Sequence, residues 1–212
     1  MGVPYWGSSP LCYGILFSMN NHIINRPDRP DRLAHAREQL SLQGLNARLF
    51  PAFITKPGYI GCKQSHLAIM EKCKTDVSFM ILEDDILFLQ NFNDVIDEAI
   101  RELPSDWDCL YLGASPKQPQ ERYSDHLFRL KNAHVTHGII WHTREGGAIE
   151  YILSHKDSIK KIDDFFANVI QPLFNCFLVY PMMATQTSNF KSDTCTRSDV
   201  STIERNYNLY CK

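Results

Sequence analysis

Three consecutive carboxylates, Glu83, Asp84 and Asp85, sit inside an apolar run, with Val77-Ser78-Phe79-Met80-Ile81-Leu82 before them and Ile86-Leu87-Phe88-Leu89 after. Like charges about 4 Å apart repel by roughly 4 kcal/mol at an effective dielectric near 20, and burying each carboxylate costs several kcal/mol more. A divalent cation answers both terms. Oxygen-only ligands favour Mg²⁺ or Mn²⁺ over zinc, and a cation held by few protein oxygens usually shares its shell with a substrate's phosphates. The competing reading is a solvated turn joining two strands, which acidic residues often make. Long apolar flanks on both sides favour the metal. Residues i and i+2 of a strand point to one side, so Glu83 and Asp85 face one cleft if the strand persists through them.

Other residues offer chemistry with a structural alternative beside it. Asp163 and Asp164 precede Phe165 and Phe166. A partly desolvated acid pair can serve as a general base, whereas the same pair also suits the cap and first turn of a helix. His66 lies on the apolar stripe of a helix, where a satisfied core histidine is the commoner outcome. Arg29 and Arg32 are placed to contact phosphates or to pair with Asp28 and Asp31 at the surface, a pairing worth ~1 kcal/mol or less. Trp107, Tyr111 and Trp141 offer stacking faces, although large aromatics in strands are usually core. His134, His137 and His142 do not share one side of a strand, which argues against a three-histidine metal site.

The elements that must position these groups alternate between strand and helix. A strand over 14–19 is followed by a polar, basic stretch, a helix from about Pro30 to Gln43 (Leu33, Ala36, Arg37 and Leu40 at helical spacing, Gly44 as stop) and a short strand at Leu49–Ala52. A helix over Gly61–Cys73 feeds the strand carrying the acids. A helix over 93–103 stopped by Pro104, a strand over Trp107–Gly113, and a proline-marked polar loop over 115–125 come next. A strand at 134–142, helices at 145–155 and 163–170, a strand at 176–181 and a polar tail from Thr185 complete the chain. This order predicts a single α/β domain over 1–212 with a largely parallel sheet.

Composition narrows the classes. In 212 residues, 44% apolar and 11% aromatic content is ample for a core, and a formal net charge of −2 gives no global basic field for duplex binding. Seven cysteines include no C-x-x-C pair and are odd in number, which points to a reducing, cytoplasmic setting. Cys62, Cys73 and Cys109 read as small core residues. Leu11 to Met19 is too short to span a membrane and has no charged leader before it, so no stable membrane span is expected.

Several segments, in order, resemble glycosyltransferase family 25, the group of lipopolysaccharide-biosynthesis and procollagen galactosyltransferases. Ile24-Asn25 with Arg29-Pro30-Asp31-Arg32 resembles the family's opening "INL-x-R-R-P-D-R". Gly61-Cys62-Lys63-Gln64-Ser65-His66-Leu67 resembles "GC-x-x-SH-L", and Ile81-Leu82-Glu83-Asp84-Asp85 matches "ILEDD". Trp107 to Gly113 is close to "WD-x-x-YLG", Lys161 to Phe166 resembles "P-x-D-D-F-L", and Ser192-Asp193 a late "SD". Two departures stand out. Arg26 replaces a leucine, with Asn20-Asn21-His22 interrupting the apolar strand so that Asn20 competes with Asn25 for the strand end. The family's "AY-x-x-S-x-x-G-A" appears as Gly138 to Ala148.

The resemblance implies a GT-A type, Rossmann-like α/β/α sandwich with a mostly parallel mixed sheet. It implies a nucleotide-sugar half over 14–113, an acceptor-side half over 126–200, and a tail over 185–212 that orders on donor binding. It further implies an inverting, metal-dependent transfer of galactose or glucose from a UDP-hexose. Asp85, Glu83 and Asp193 would hold Mn²⁺ or Mg²⁺, with Asn25, Arg32, Ser65, His66, Glu83 and Asp84 at the donor and Asp163 or Asp164 as base. The acceptor would be a saccharide, a protein hydroxyl or a hydroxylated nucleobase. Two rival classes use the same residues: a metal-dependent phosphohydrolase or nuclease, drawing on Asp108, Asp163 and Asp193, and a catalytically silent carbohydrate- or protein-binding module.

Overall fold

A computed structural model describes residues 19–90, 92–190 and 200–212. The chain runs through β1 (Asn20–Asn25), α1 (Pro30–Leu42), β2 (Arg48–Pro51), α2 (Gly58–Cys73), β3 (Ser78–Glu83), β4 (Ile86–Phe88) and α3 (Phe92–Glu102). Then come β5 (Cys109–Tyr111), β6 (Ser115–Pro116), β7 (Glu121–Arg122), β8 (Leu127–Arg129), β9 (Ala133–His134), β10 (Gly138–His142) and α4 (Ala148–Ser154). Last are α5 (Ile162–Phe165), which passes through a π-helical turn (Phe166–Ile170) into α6 (Gln171–Leu173), then β11 (Cys176–Val179), β12 (Ala184–Gln186) and α7 (Val200–Tyr210).

The main sheet has eight strands in the order β2-β1-β3-β10-β5-β11-β8-β7. β1 pairs parallel with both β2 and β3, and β11 with β5, while β10 and β8 run against their neighbours. Six of the eight strands therefore share one direction, as a mostly parallel mixed sheet requires. Strand alternation divides the core between two faces. Phe79 and Ile81 of β3 point to the layer containing Ile69, Ile149, Ile162 and Ile203, and Met80 and Leu82 to that containing Ala36, Leu40, Phe92 and Ile96. Helices thus cover both faces, giving the α/β/α sandwich.

The buried stripe of α1 is Arg32, Ala36 and Leu40, four residues apart, rather than the expected set that included Leu33 and Arg37. Pro30 opens the helix where its missing N–H costs nothing, and Gly44 takes the left-handed φ of 65° that reverses the chain. Gly61 is required by proximity: a Cβ there would lie 2.0 Å from the carbonyl oxygen of Phe53. That close approach seats α2 against the segment after β2.

Several expectations change. The first described strand is β1, in which Asn20, Asn21 and His22 are members rather than a break; the strand expected at 14–19 lies, but for Met19, outside the described residues. Asn21 donates to the carbonyl of Asn46 and the His22 Nε2 lies 3.4 Å from Cys73 Sγ, so polar side chains are accommodated in a buried strand. The 115–125 segment is not a loose surface loop. β6 pairs with β9 and β7 with β8, and buried Gln120 bonds the chain at Gln118 and Lys131. The tail from Thr185 is likewise built into the fold: β12 pairs with β4, and α7 packs Ile203 and Tyr207 into the core.

Candidate functional site

The carboxyl ends of parallel β2, β1 and β3 open into a cleft of about 220 Å³, the usual ligand position for such a sheet. β3 stops at Glu83, and Asp84 and Asp85 form a two-residue turn into β4. The strand therefore does not persist through the acids, and the i, i+2 argument for Glu83 and Asp85 fails. The turn brings all three to the cleft wall instead. It is a turn, as the competing reading held, yet not a solvated one, since Asp84 is buried and Asp85 nearly so.

The positive group beside these acids is a side chain. One terminal nitrogen of Arg32 lies 2.6 Å from Asp84 Oδ1 and 2.6 Å from Asp85 Oδ2. Of the two roles open to Arg29 and Arg32, Arg29 takes the surface pairing, with Asp31, and Asp28 pairs with Arg26, while Arg32 turns to the acids. Position 32 is on the buried stripe of α1, and that stripe aims the guanidinium at the turn. Its planar face also lies 5.5 Å from the Phe190 ring.

Each acid has its own partners. Glu83 Oε1 accepts from Thr136 Oγ1 at 2.6 Å and lies 3.2 Å from His66 Nε2. Asp84 accepts from Asn25 Nδ2 at 2.7 Å, because β1 and β3 are in register at Ile24 and Glu83. This contact makes Asn25, and not Asn20, the strand-end asparagine of the site; Asn20 bonds Asp76 at the other end. Asp85 accepts from Gln186 Nε2, 3.3 Å from both carboxylate oxygens, and its carbonyl accepts from the Thr187 amide.

These surroundings split the acids electrostatically. Burial pushes the Asp85 carboxyl up, and the charges of Glu83 and Asp84 add to it, so that despite Arg32 it rises to about 7. Asp84 is raised by burial against the opposing pull of Arg32 and Asn25. Burial also acts on Glu83, but the His66 contact, the Thr136 hydroxyl and His137 outweigh it and hold this carboxyl below its usual range. Glu83 keeps its charge while Asp85 holds a proton more readily, the pattern expected of crowded like charges.

Ser65 lines the cleft, but its hydroxyl donates to the Gly61 carbonyl and accepts from the Phe53 amide, pinning the segment after β2 to α2. Asp163 and Asp164 fall in the first turn of α5, whose N-cap is Lys161. Asp163 lines the cleft; Asp164 is half exposed, with its Oδ1 3.6 Å from His134 Nδ1. Asp193 lies outside the described residues. Asp108, the further acid of the phosphohydrolase reading, is at the opposite end of the sheet, where it binds Arg144 and the amides of Ala148 and Asn175. Trp141 and Tyr111 are core, and Trp107 stacks on His142 with centroids 4.9 Å apart.

Cys62, expected in the core, packs against it while only partly buried, and also lines the cleft. Sequence reasoning also missed Thr136 and Gln186. Thr136 follows Val135, whose φ of 76° is a backbone conformation that β-branched residues seldom adopt. No spacing in the sequence marks either residue; the long-range antiparallel pairing of β12 with β4 and the entry to β10 place them.

Residues 54–144 match the model of Glycosyltransferase family 25 (LPS biosynthesis protein). This match contains the Gly61–Leu67 and Ile81–Asp85 segments. A "probable inactive glycosyltransferase 25 family member 3" from Bos taurus is 24% identical, covering 47% of this chain and 22% of that protein. A putative glycosyltransferase of Acanthamoeba polyphaga mimivirus is 23% identical, covering 49% of this chain and 33% of that protein. The chain thus spans between about a fifth and a third of the length of these curated relatives. Among solved structures, a glycosyltransferase involved in glycosylation of the major capsid of PBCV-1 aligns over 76% of this chain and 80% of its own, at 11% identity and a TM-score of 0.48. Among the described residues no helix is long and apolar enough to cross a membrane.

Proposed function

We propose that the chain is a glycosyltransferase that moves a hexose, galactose or glucose, from a UDP-sugar to a hydroxyl acceptor, with a divalent cation at the Glu83–Asp85 turn. The observation that carries this reading is the convergence of Arg32 with three carboxylates on one cleft at the carboxyl end of the parallel strands, with Asn25 holding Asp84 and the acids themselves inside the family-matched segment.

Mn²⁺ or Mg²⁺ suits the donor set. All three acids offer oxygen, no hydrogen bond from a described residue reaches Glu83 Oε2, and one guanidinium stands against three carboxylates. Asp85 and Glu83 would hold the ion, with Asp193 as a further ligand. The ion supplies Lewis-acid neutralisation of the departing diphosphate. Arg32, released from part of its contact with Asp85, is placed to bind the same phosphates. Asn25 and Asp84 fix the turn, and His66 and Thr136 keep Glu83 ionised and oriented. Asp163, which lines the cleft, is the candidate to accept the acceptor's proton, with Asp164 as the more exposed alternative.

A thermal-shift screen of nucleotide sugars with Mn²⁺ tests the donor. Bound ligand stabilises by RT ln(1 + [L]/Kd), about 2.7 kcal/mol at a hundredfold excess over Kd. UDP-hexoses should raise the melting temperature; stabilisation by no nucleotide sinks the assignment. A silent binding module is the second reading, favoured by the guanidinium already seated on Asp84 and Asp85 and by the bovine relative's name. Mn²⁺-dependent hydrolysis of a UDP-sugar without acceptor would exclude it.

A further inference from the structure

The cleft also carries a second, chemically different set of donors. Cys62 and His66 are four residues apart on α2 and so share one side of the helix, and Glu83 reaches them from the end of β3. One ligand atom from each of the three lies within 4.8 Å of the other two. The His66 Nε2 to Glu83 Oε1 distance is 3.2 Å. Two ligands held 2.0–2.1 Å from a tetrahedral ion stand about 3.3 Å apart, so this pair is already spaced for one.

We propose that Cys62, His66 and Glu83 form a site for a thiophilic divalent ion, Zn²⁺ by its chemistry, with the fourth position open to the cleft. Thiolate, imidazole and carboxylate together select zinc over the hard ions that an all-oxygen set prefers. Three protein ligands and an open place are the arrangement of ligand-binding zinc centres, as opposed to closed structural ones.

Two further observations support the site. His66 is fully buried with its Nε2 facing Glu83, while its Nδ1 has no hydrogen-bond partner among the described residues. Of the described cysteines, Cys62 alone lines the cleft. Cys73, Cys109 and Cys211 are buried, and burial pushes their thiols up, away from the thiolate form that binds metal. The proposal does not rest on the transferase reading. It adds a consequence to it, because zinc here withdraws Glu83 from a hard ion held at Asp85.

Cobalt titration of the full chain reads the ligands directly. Co²⁺ should bind at one equivalent, with a near-ultraviolet thiolate-to-cobalt charge-transfer band and intense visible bands of a tetrahedral centre, and Zn²⁺ should bleach both. Cys62→Ala and Cys62→Ser, with folding checked by circular dichroism, should each lose the charge-transfer band. Asp85→Asn should keep it, even where that variant loses all Mn²⁺-dependent nucleotide binding. Absence of the band in the unaltered protein, or its survival in both Cys62 variants, overturns the proposal.

Discussion

Replacing Arg32 by Met isolates what its charge contributes, since the alkyl stem and its packing on α1 are largely kept. The Arg32 side chain is 6% exposed, and its partners Asp84 and Asp85 are 9% and 14% exposed, each contacted at 2.6 Å. At about 4 Å between charge centres and an effective dielectric near 20, each attraction is worth roughly 4 kcal/mol before desolvation is counted. Removing one partner of a buried pair typically costs about 3–5 kcal/mol, because the other charge is left uncompensated. Arg32→Met should therefore lower the unfolding free energy at pH 7.5 by about 3–5 kcal/mol, with an unchanged denaturant slope. Urea titration followed by circular dichroism measures it. Adding Asp84→Asn should recover part of the loss, giving a coupling of at least about 1 kcal/mol. Mn²⁺ should also stabilise Arg32→Met more than the unaltered protein, the ion replacing the missing guanidinium. A loss below ~1 kcal/mol with no coupling is what an exposed pair gives, and would refute the claim that Arg32 compensates the turn.

Gly61→Ala should destabilise the protein by at least about 1–3 kcal/mol, since the new Cβ meets the Phe53 carbonyl at 2.0 Å and backbone must move; thermal unfolding checks it. His22 is fully buried on β1, and burial, with Lys72 and Arg48 nearby, lowers its pKa below 6.5. A histidine whose folded value is depressed binds fewer protons folded than unfolded. Its contribution to stability is thus complete above about pH 6.5 and is lost as the pH falls through that value. Urea midpoints for His22→Gln should vary less between pH 7.5 and 5.5 than those of the unaltered protein; an equal dependence would contradict this.

The acid run and the strand beneath it were legible because charge inside a long apolar stretch has few meanings. What surrounds it was much less so. Arg32 is an arginine on a buried helical stripe, and a charged residue at the spacing of Ala36 and Leu40 reads as surface until its partners are known. β1 was missed because Asn20, Asn21 and His22 spoil the apolar pattern, although each finds a partner in the fold. The 115–125 segment hid β6 and β7 behind prolines and polar residues, since edge strands of two residues leave no periodicity. Cys62 reads as core from the apolar pattern of α2, but it sits at the margin of the buried side, next to His66 and facing the cleft. Thr136 and Gln186 lie 53 and 101 residues from the acids they contact, and local pattern carries nothing over such separations.

The central claim is that the Glu83–Asp85 turn binds a nucleotide diphosphate through a cation. Isothermal titration of UDP into the chain, with and without Mn²⁺ and for Asp85→Asn, tests it most directly. Saturable binding that requires Mn²⁺ and is abolished by Asp85→Asn is the expected result. Binding indifferent to both the metal and the substitution would contradict the account.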